Sequence, residues 1–186
     1  MMNARWSFLA VPLLAALGCS DPVPLPAQGA ITLSIQKSNT TCPDSGTTYQ
    51  IGAPNPPSAT ATGDSVVDGN GASVSCSVKK SSSGFTFSGS LQASTIAPVV
   101  PILVTFNNGV IDSTGAGTAT VAVRTPKLGD TFNSGSTPCP IQVIQNQIQP
   151  GSLWVTFSCP NIVATSALSG SCGVGTSVVV FENCSQ

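Results

Sequence analysis

The feature that most constrains the fold of this chain is a period of two in its apolar residues. In several short segments Ile, Leu, Val and Phe alternate with Ser, Thr and Gln. These segments are residues 31–36, 73–78, 85–91, 118–124 and 153–159. Alternation of this kind is typical of β-strands that bury one face and expose the other. No segment shows an apolar stripe at helical spacing, so we predict an all-β chain.

Two further segments are apolar without alternation. Residues 99–106 and 178–181 predict strands that are buried on both faces. These seven segments, together with residues 141–149 and further short apolar segments, predict about eight to ten strands. That number and spacing are typical of sandwiches and barrels. We therefore predict a single β-sandwich domain, with a β-barrel as the alternative architecture.

Turn signals separate the predicted strands. Asn107-Asn108-Gly109 predicts a hairpin turn, because Asn and Gly accept the positive φ angles that tight hairpins need. Pro150-Gly151 predicts a second hairpin. Residues 52–71 are rich in Gly, Pro, Ala and Thr and predict the longest loop.

The amino-terminal segment predicts export. Arg5 precedes an apolar run at residues 8–17, and ten residues are too few for a bilayer span of about 20 residues. We interpret residues 1–18 as a signal peptide. Residues 19–29 contain three prolines and predict a semi-extended tether, which leaves residues 30–186 for the β-domain.

The end of this segment resembles the lipobox of bacterial lipoproteins. Ala16 and Gly18 occupy its small-residue positions before Cys19, although the commonest lipobox has Leu where Ala16 stands. The resemblance implies cleavage before Cys19, diacylglycerol on its thiol and a further fatty acid, commonly palmitate, on the new amino terminus. Because Ser20 rather than Asp follows the cysteine, the resemblance also implies the outer membrane. Ordinary secretion is the alternative, since the same bond fits the small-x-small rule of the general signal peptidase.

The cysteine count bears on that choice. An odd cysteine in an exported protein needs an explanation, and lipidation of Cys19 leaves six that can form three disulfides. These six are Cys42, Cys76, Cys139, Cys159, Cys172 and Cys184. We predict Cys139–Cys159 across the Pro150-Gly151 hairpin, Cys172–Cys184 around the last strand, and Cys42–Cys76 across the long loop.

Charge and composition exclude several functions. The chain has six basic residues, seven acidic residues and no histidine. So few cations cannot neutralise a run of phosphates, which argues against nucleic acid as a partner. Without histidine or a Cys-x-x-Cys pair, the cysteines do not form a zinc site. We predict no metal and no cofactor.

The predicted long loop contains two motifs that resemble functional sites. Gly63-Asp64-Ser65 resembles the nucleophile block of the GDSL hydrolases, but that chemistry needs a histidine base that this chain lacks. Asp64, Asp68 and Asn70 offer oxygens to a calcium ion, but the same residues are common in tight turns. We interpret both motifs as turns.

The prediction for function follows from these exclusions. We predict a lipid-anchored cell-envelope protein that is not an enzyme and whose β-domain binds a protein or glycan or has a structural role. An exported or anchored carbohydrate-active enzyme that uses carboxylates is the alternative. Trp154 and Tyr49 are the candidate ligand contacts, because Trp154 falls on the polar side of its predicted strand and exposed aromatic rings often bind ligands.

Overall fold

Every regular element that the structure describes is a β-strand. The computed structural model describes residues 24–38, 42–52, 72–93, 101–166 and 170–186. The strands are β1 (Gln28–Gln36), β2 (Thr47–Ile51), β3 (Ala72–Ser81), β4 (Gly84–Ala93), β5 (Ile102–Asp112), β6 (Ala116–Arg124), β7 (Thr131–Asn133), β8 (Cys139–Gln149), β9 (Ser152–Ala164) and β10 (Ser171–Glu182). The predicted all-β class is confirmed.

Several sequence predictions concern residues outside the described ranges. They include the signal peptide at residues 1–18, Cys19 itself, and the hydrolase-like and calcium-like motifs at residues 63–70. The last part of the predicted tether, residues 24–27, has no regular structure, and β1 begins at Gln28. The first strand therefore starts two residues before the predicted domain boundary at residue 30.

The ten strands form one antiparallel sheet. Its order is β2-β1-β10-β9-β7-β6-β5-β4-β3, and β8 pairs with both β6 and β9 beside this path. Strands β3 to β6 are joined by consecutive hairpin pairings and make up one half. The other half contains β8, β9, β10, β1 and β2. The first and last described strands therefore lie side by side in the same half, where β1 pairs with β10.

The two halves of the sheet face each other across an apolar core. The ring of Phe106 in β5 lies edge-on to Phe157 in β9, at 4.9 Å between centroids, and to Phe181 in β10, at 5.9 Å. Gly89 in β4 leaves room for the same Phe181 ring, since a Cβ atom there would lie 2.5 Å from it. Both predicted architectures, sandwich and barrel, require this kind of contact between inward faces.

The prediction for residues 107–109 was wrong, because they lie inside β5 and form a bulge. The pairing of β5 with β6 shifts register between Asn107 and Val110, and Asn108 has a φ of 52°. Some bulges hold one residue at positive φ, as tight hairpin turns do, so the Asn-Gly signal fits both. Gly109 also faces the Phe87 ring, which would lie 2.3 Å from a Cβ atom. The chain turns instead after Asp112.

The structure agrees with the second turn prediction and with one of the two predicted buried strands. The Pro150-Gly151 hairpin is confirmed between β8 and β9, and Gly151 has a φ of 84°. In β10 the consecutive residues 179–181 are all buried, as a strand covered on both faces requires. The same prediction for residues 99–106 was wrong for β5, because Leu103 and Thr105 point outward and are half-exposed, so only one face is buried.

One of the three predicted disulfides is confirmed, Cys139–Cys159. The β8–β9 register pairs Ile141 with Phe157, which places the two cysteines directly opposite each other at a Cα–Cα distance of 4.7 Å. Neighbouring antiparallel strands hold opposite residues at the spacing that a disulfide needs.

The other two predicted pairs were wrong. The structure joins Cys42 to Cys172 and Cys76 to Cys184, each at a Cα–Cα distance of 4.8 Å. The predicted pairs joined cysteines near each other in sequence. The folded sheet instead brings the segment before β2 against β10, and the chain end against β3.

Candidate binding surface

The outward face of β3 to β6 carries mostly polar side chains in register. One row across the four strands consists of Lys79, Thr86, Val110 and Thr118. Most outward residues of the neighbouring rows are hydroxyl and amide side chains, namely Ser73, Ser75, Ser77, Ser88, Ser90, Gln92, Thr105 and Thr120. Leu103, Ala122 and Arg124 lie in the same rows, at the end away from the bulge. Because adjacent strands lie about 4.8 Å apart, this face presents a regular array of hydrogen-bonding groups.

The bulge in β5 divides this face into two open grooves. The first has a volume of about 410 Å³ and is lined by Ser77, Lys79, Thr86, Ser88, Asn108 and Val110, among others. The second has a volume of about 470 Å³, and its lining includes Ser81, Phe85, Thr86, Val110, Asp112 and Thr118. Thr86 and Val110 belong to both grooves. We call the residues of these two linings the bulge surface.

Val110 forms the ridge between the two grooves. It is a branched apolar residue within a strand, and it is 51% exposed. The bulge turns it outward, since the register shift moves Ile111 to the buried face and leaves Val110 and Asp112 outside. Sequence analysis did not find this surface, because the Asn-Gly signal that marks the bulge was interpreted as a hairpin turn.

A second polar site surrounds a buried carboxylate. Asp44, in the turn before β2, is 1% exposed, and its Oδ2 accepts hydrogen bonds from Tyr49 Oη at 2.8 Å and from Thr125 Oγ1. Lys127 Nζ lies 4.0 Å from Oδ1 and donates to Thr47 Oγ1 at 3.0 Å. The cluster ties the β1–β2 connection to the segment after β6. Its arrangement suits a structural link, because the groups around the carboxylate are a lysine and hydroxyls.

Titration of Tyr49 tests this cluster. Burial is the largest cause that raises its pKa above the ordinary value of 10.0; Asp44 raises the pKa further, and the Thr125 hydrogen bond opposes the shift. Tyr49 is the only tyrosine in the chain, so tyrosinate absorbance reports it alone. We expect an apparent pKa above 10.0 in the folded protein, which unfolding removes.

The same shift sets a direction for alkaline stability. Because the folded pKa is raised, its contribution to stability is complete below pH 10.0 and is lost as the pH rises through the folded pKa. Asp44→Asn should move the pKa of Tyr49 back toward 10.0, whereas Asp130→Asn, which alters a carboxylate in another turn, should not. A folded protein with a Tyr49 pKa at or below 10.0 would contradict the contact.

The two predicted aromatic contacts lie apart from the bulge surface. Trp154 is 3% exposed and packs with Ala30 and Val180 in a small apolar cluster, where its Nε1 donates to Glu182 Oε1 at 3.3 Å. Its ring therefore offers almost no surface to a ligand. Tyr49 is half-buried, and its hydroxyl is engaged by Asp44.

The remaining described carboxylates act within turns. Asp112 Oδ1 accepts hydrogen bonds from Thr114 and from the Ala116 backbone N–H, and these bonds hold the pKa of Asp112 below its ordinary value. Hydrogen bonds from Ser166 and Thr131 likewise lower the pKa of Asp130. Within the described ranges, no group of three or more His, Cys, Asp or Glu side chains is placed to hold a metal ion.

Comparison with known proteins does not indicate a function for this surface. No protein-family model, curated protein or solved structure matches the chain. In the part of the chain that the structure describes, no helix has the length and apolarity needed to cross a membrane. The function must therefore be inferred from the residues themselves.

Proposed function

We propose that this chain is an exported, lipid-anchored protein of the bacterial cell envelope, whose β-domain binds a partner without catalysing a reaction. The observation that carries the proposal is the state of the cysteines. All six cysteines of the domain are paired in three disulfides. Cys19 is the seventh, so no cysteine of this chain is left to pair with it.

The disulfides also support the compartment. Two of them join residues 130 and 108 positions apart, and such structural bonds persist in oxidising compartments outside the cytoplasm. A diacylglycerol and a further acyl group on Cys19 would anchor the protein stably. A single acyl chain gives only marginal membrane binding, whereas two or more give stable binding. The proline-rich residues before β1, from Cys19 to residue 27, would keep the domain clear of the lipid headgroups.

The chemistry of the described side chains supports a binding role over catalysis. The chain has no histidine, the most frequent general acid and base in enzymes. The four described carboxylates, Asp44, Asp112, Asp130 and Glu182, each accept hydrogen bonds from other residues of the domain. The outward face of β3 to β6 is rich in hydroxyl and amide groups, which can form hydrogen bonds with a partner.

Metabolic labelling with a fatty-acid analogue tests the anchor. The wild-type protein, expressed from the full chain in a bacterium, should incorporate the label and sediment with membranes. Cys19→Ala should lose the label, because the thiol that carries the diacylglycerol is gone. Ser20→Ala is the matched control, and it should keep the label because the cysteine remains. An unlabelled wild-type protein would overturn the proposal.

A further inference from the structure

We infer that the bulge surface binds a neutral glycan, with sugar units seated in the two grooves on either side of Val110. This inference rests on the proposed binding function and names its ligand class. The grooves have volumes of about 410 and 470 Å³, within the range of about 300–1,000 Å³ that is usual for ligand sites. They share Thr86 and Val110 as their common wall, so a chain of linked units can cross the ridge.

The position of the surface within the sheet disfavours a peptide that adds a strand. Both β4 and β5 are interior strands, paired on each side with a neighbour. Their backbone groups are already used in the ladder, whereas strand addition needs an open edge. A ligand on this face must therefore be recognised by side chains.

The charge of the surface disfavours an acidic polymer. Lys79 is the one cation among the residues lining the two grooves. The carboxylate of Asp112 lines the second groove, and its Oδ1 is engaged by its own turn. One cation and one anion leave the surface near neutrality, whereas polyanions require several cations.

The remaining groups match the chemistry of a sugar. Hydroxyls of Ser77, Thr86 and Ser88 and the amide of Asn108 both donate and accept hydrogen bonds, as sugar hydroxyls do. Val110, exposed on the ridge, supplies an apolar contact for the C–H face of a sugar ring. A few polar groups around an apolar patch is the usual composition of a small-ligand site.

Binding to an oligosaccharide array tests the inference. The purified full-length exported protein is applied to neutral oligomers of glucose, galactose, mannose and N-acetylglucosamine and to acidic uronate and sulfated oligomers. We expect binding to at least one neutral oligomer. Thr86→Arg should weaken that binding at least about tenfold, because the long cation fills both grooves.

Matched variants control for folding. Thr48→Arg makes the same substitution at an exposed position of β2, outside the bulge surface, and should leave binding unchanged. Val110→Glu is a second probe at an exposed site, and it should also weaken binding. Near-ultraviolet circular dichroism and the melting temperature should match wild type in all three.

The outcomes separate this inference from the proposed function. Failure to bind any neutral oligomer, binding only of acidic oligomers, or binding that Thr86→Arg and Val110→Glu leave unchanged would each overturn the glycan site. Fatty-acid labelling of Cys19 is read independently. A labelled protein without glycan binding would refute the bulge surface alone, and an unlabelled protein that binds glycan would refute the anchor alone.

Discussion

Phe106→Ala should lower the free energy of unfolding by about 3–5 kcal/mol. The Phe106 side chain is fully buried and contacts the rings of Phe87, Phe157 and Phe181, so it joins both halves of the sheet. Alanine would remove the buried ring and leave a cavity that neighbouring strands cannot close without breaking their ladders. Chemical denaturation followed by tryptophan fluorescence measures the change.

Phe85→Ala is the control for this prediction. Phe85 lies two residues before Phe87 in β4 but is only half-buried, so its removal should cost clearly less than that of Phe106. Equal losses for the two variants would show that the rings do not differ in burial as described. A Phe106→Ala loss under about 1 kcal/mol would contradict the packing of the two halves, because core Phe truncations cost more.

The double variant Cys76→Ser, Cys184→Ser should lower the free energy of unfolding by about 2–5 kcal/mol. This disulfide closes a loop between residues 108 positions apart. It holds the chain end against β3, where Val78 N donates to Ser185 O at 2.9 Å and Ser185 N donates to Cys76 O at 3.0 Å. Without the bond the unfolded chain gains freedom, and the short C-terminal segment is expected to fray.

Denaturation under non-reducing conditions measures this loss, and Ser185→Ala is the control. That variant removes the Ser185 hydroxyl bond to Cys76 O but keeps the disulfide, so it should cost about 1 kcal/mol or less. Peptide mapping of the wild-type protein should recover Cys76 linked to Cys184 and Cys42 linked to Cys172. A peptide that links Cys172 to Cys184 would contradict the fold of the chain end.

Only one of the three disulfides could be predicted from local sequence patterns. Cys139–Cys159 was predictable, because both residues belong to one hairpin and a hairpin register follows from its turn. Cys42–Cys172 and Cys76–Cys184 were not, since each joins distant parts of the chain. Nothing in the period-two pattern states which strands become neighbours.

The bulge surface, too, could be predicted only in part from the sequence. The hydroxyl-rich face was visible as alternation in residues 73–78 and 85–91, but the bulge that divides it was interpreted as a turn. Trp154 was expected on a polar face, and it does point away from the main core. It is nevertheless buried, in a cluster with Val180 of the adjacent strand β10 and Ala30 of β1, the next strand along.

The period of two by itself determined the β class, the inward and outward residues of most strands and the hairpin at Pro150-Gly151. These properties are local, because side-chain direction and turn conformation depend on a few adjacent residues. The tertiary structure alone decided the strand order, two of the three disulfides and the bulge surface. Those depend on how the sheet folds its two apolar faces together, and many strand orders bury the same apolar residues equally well.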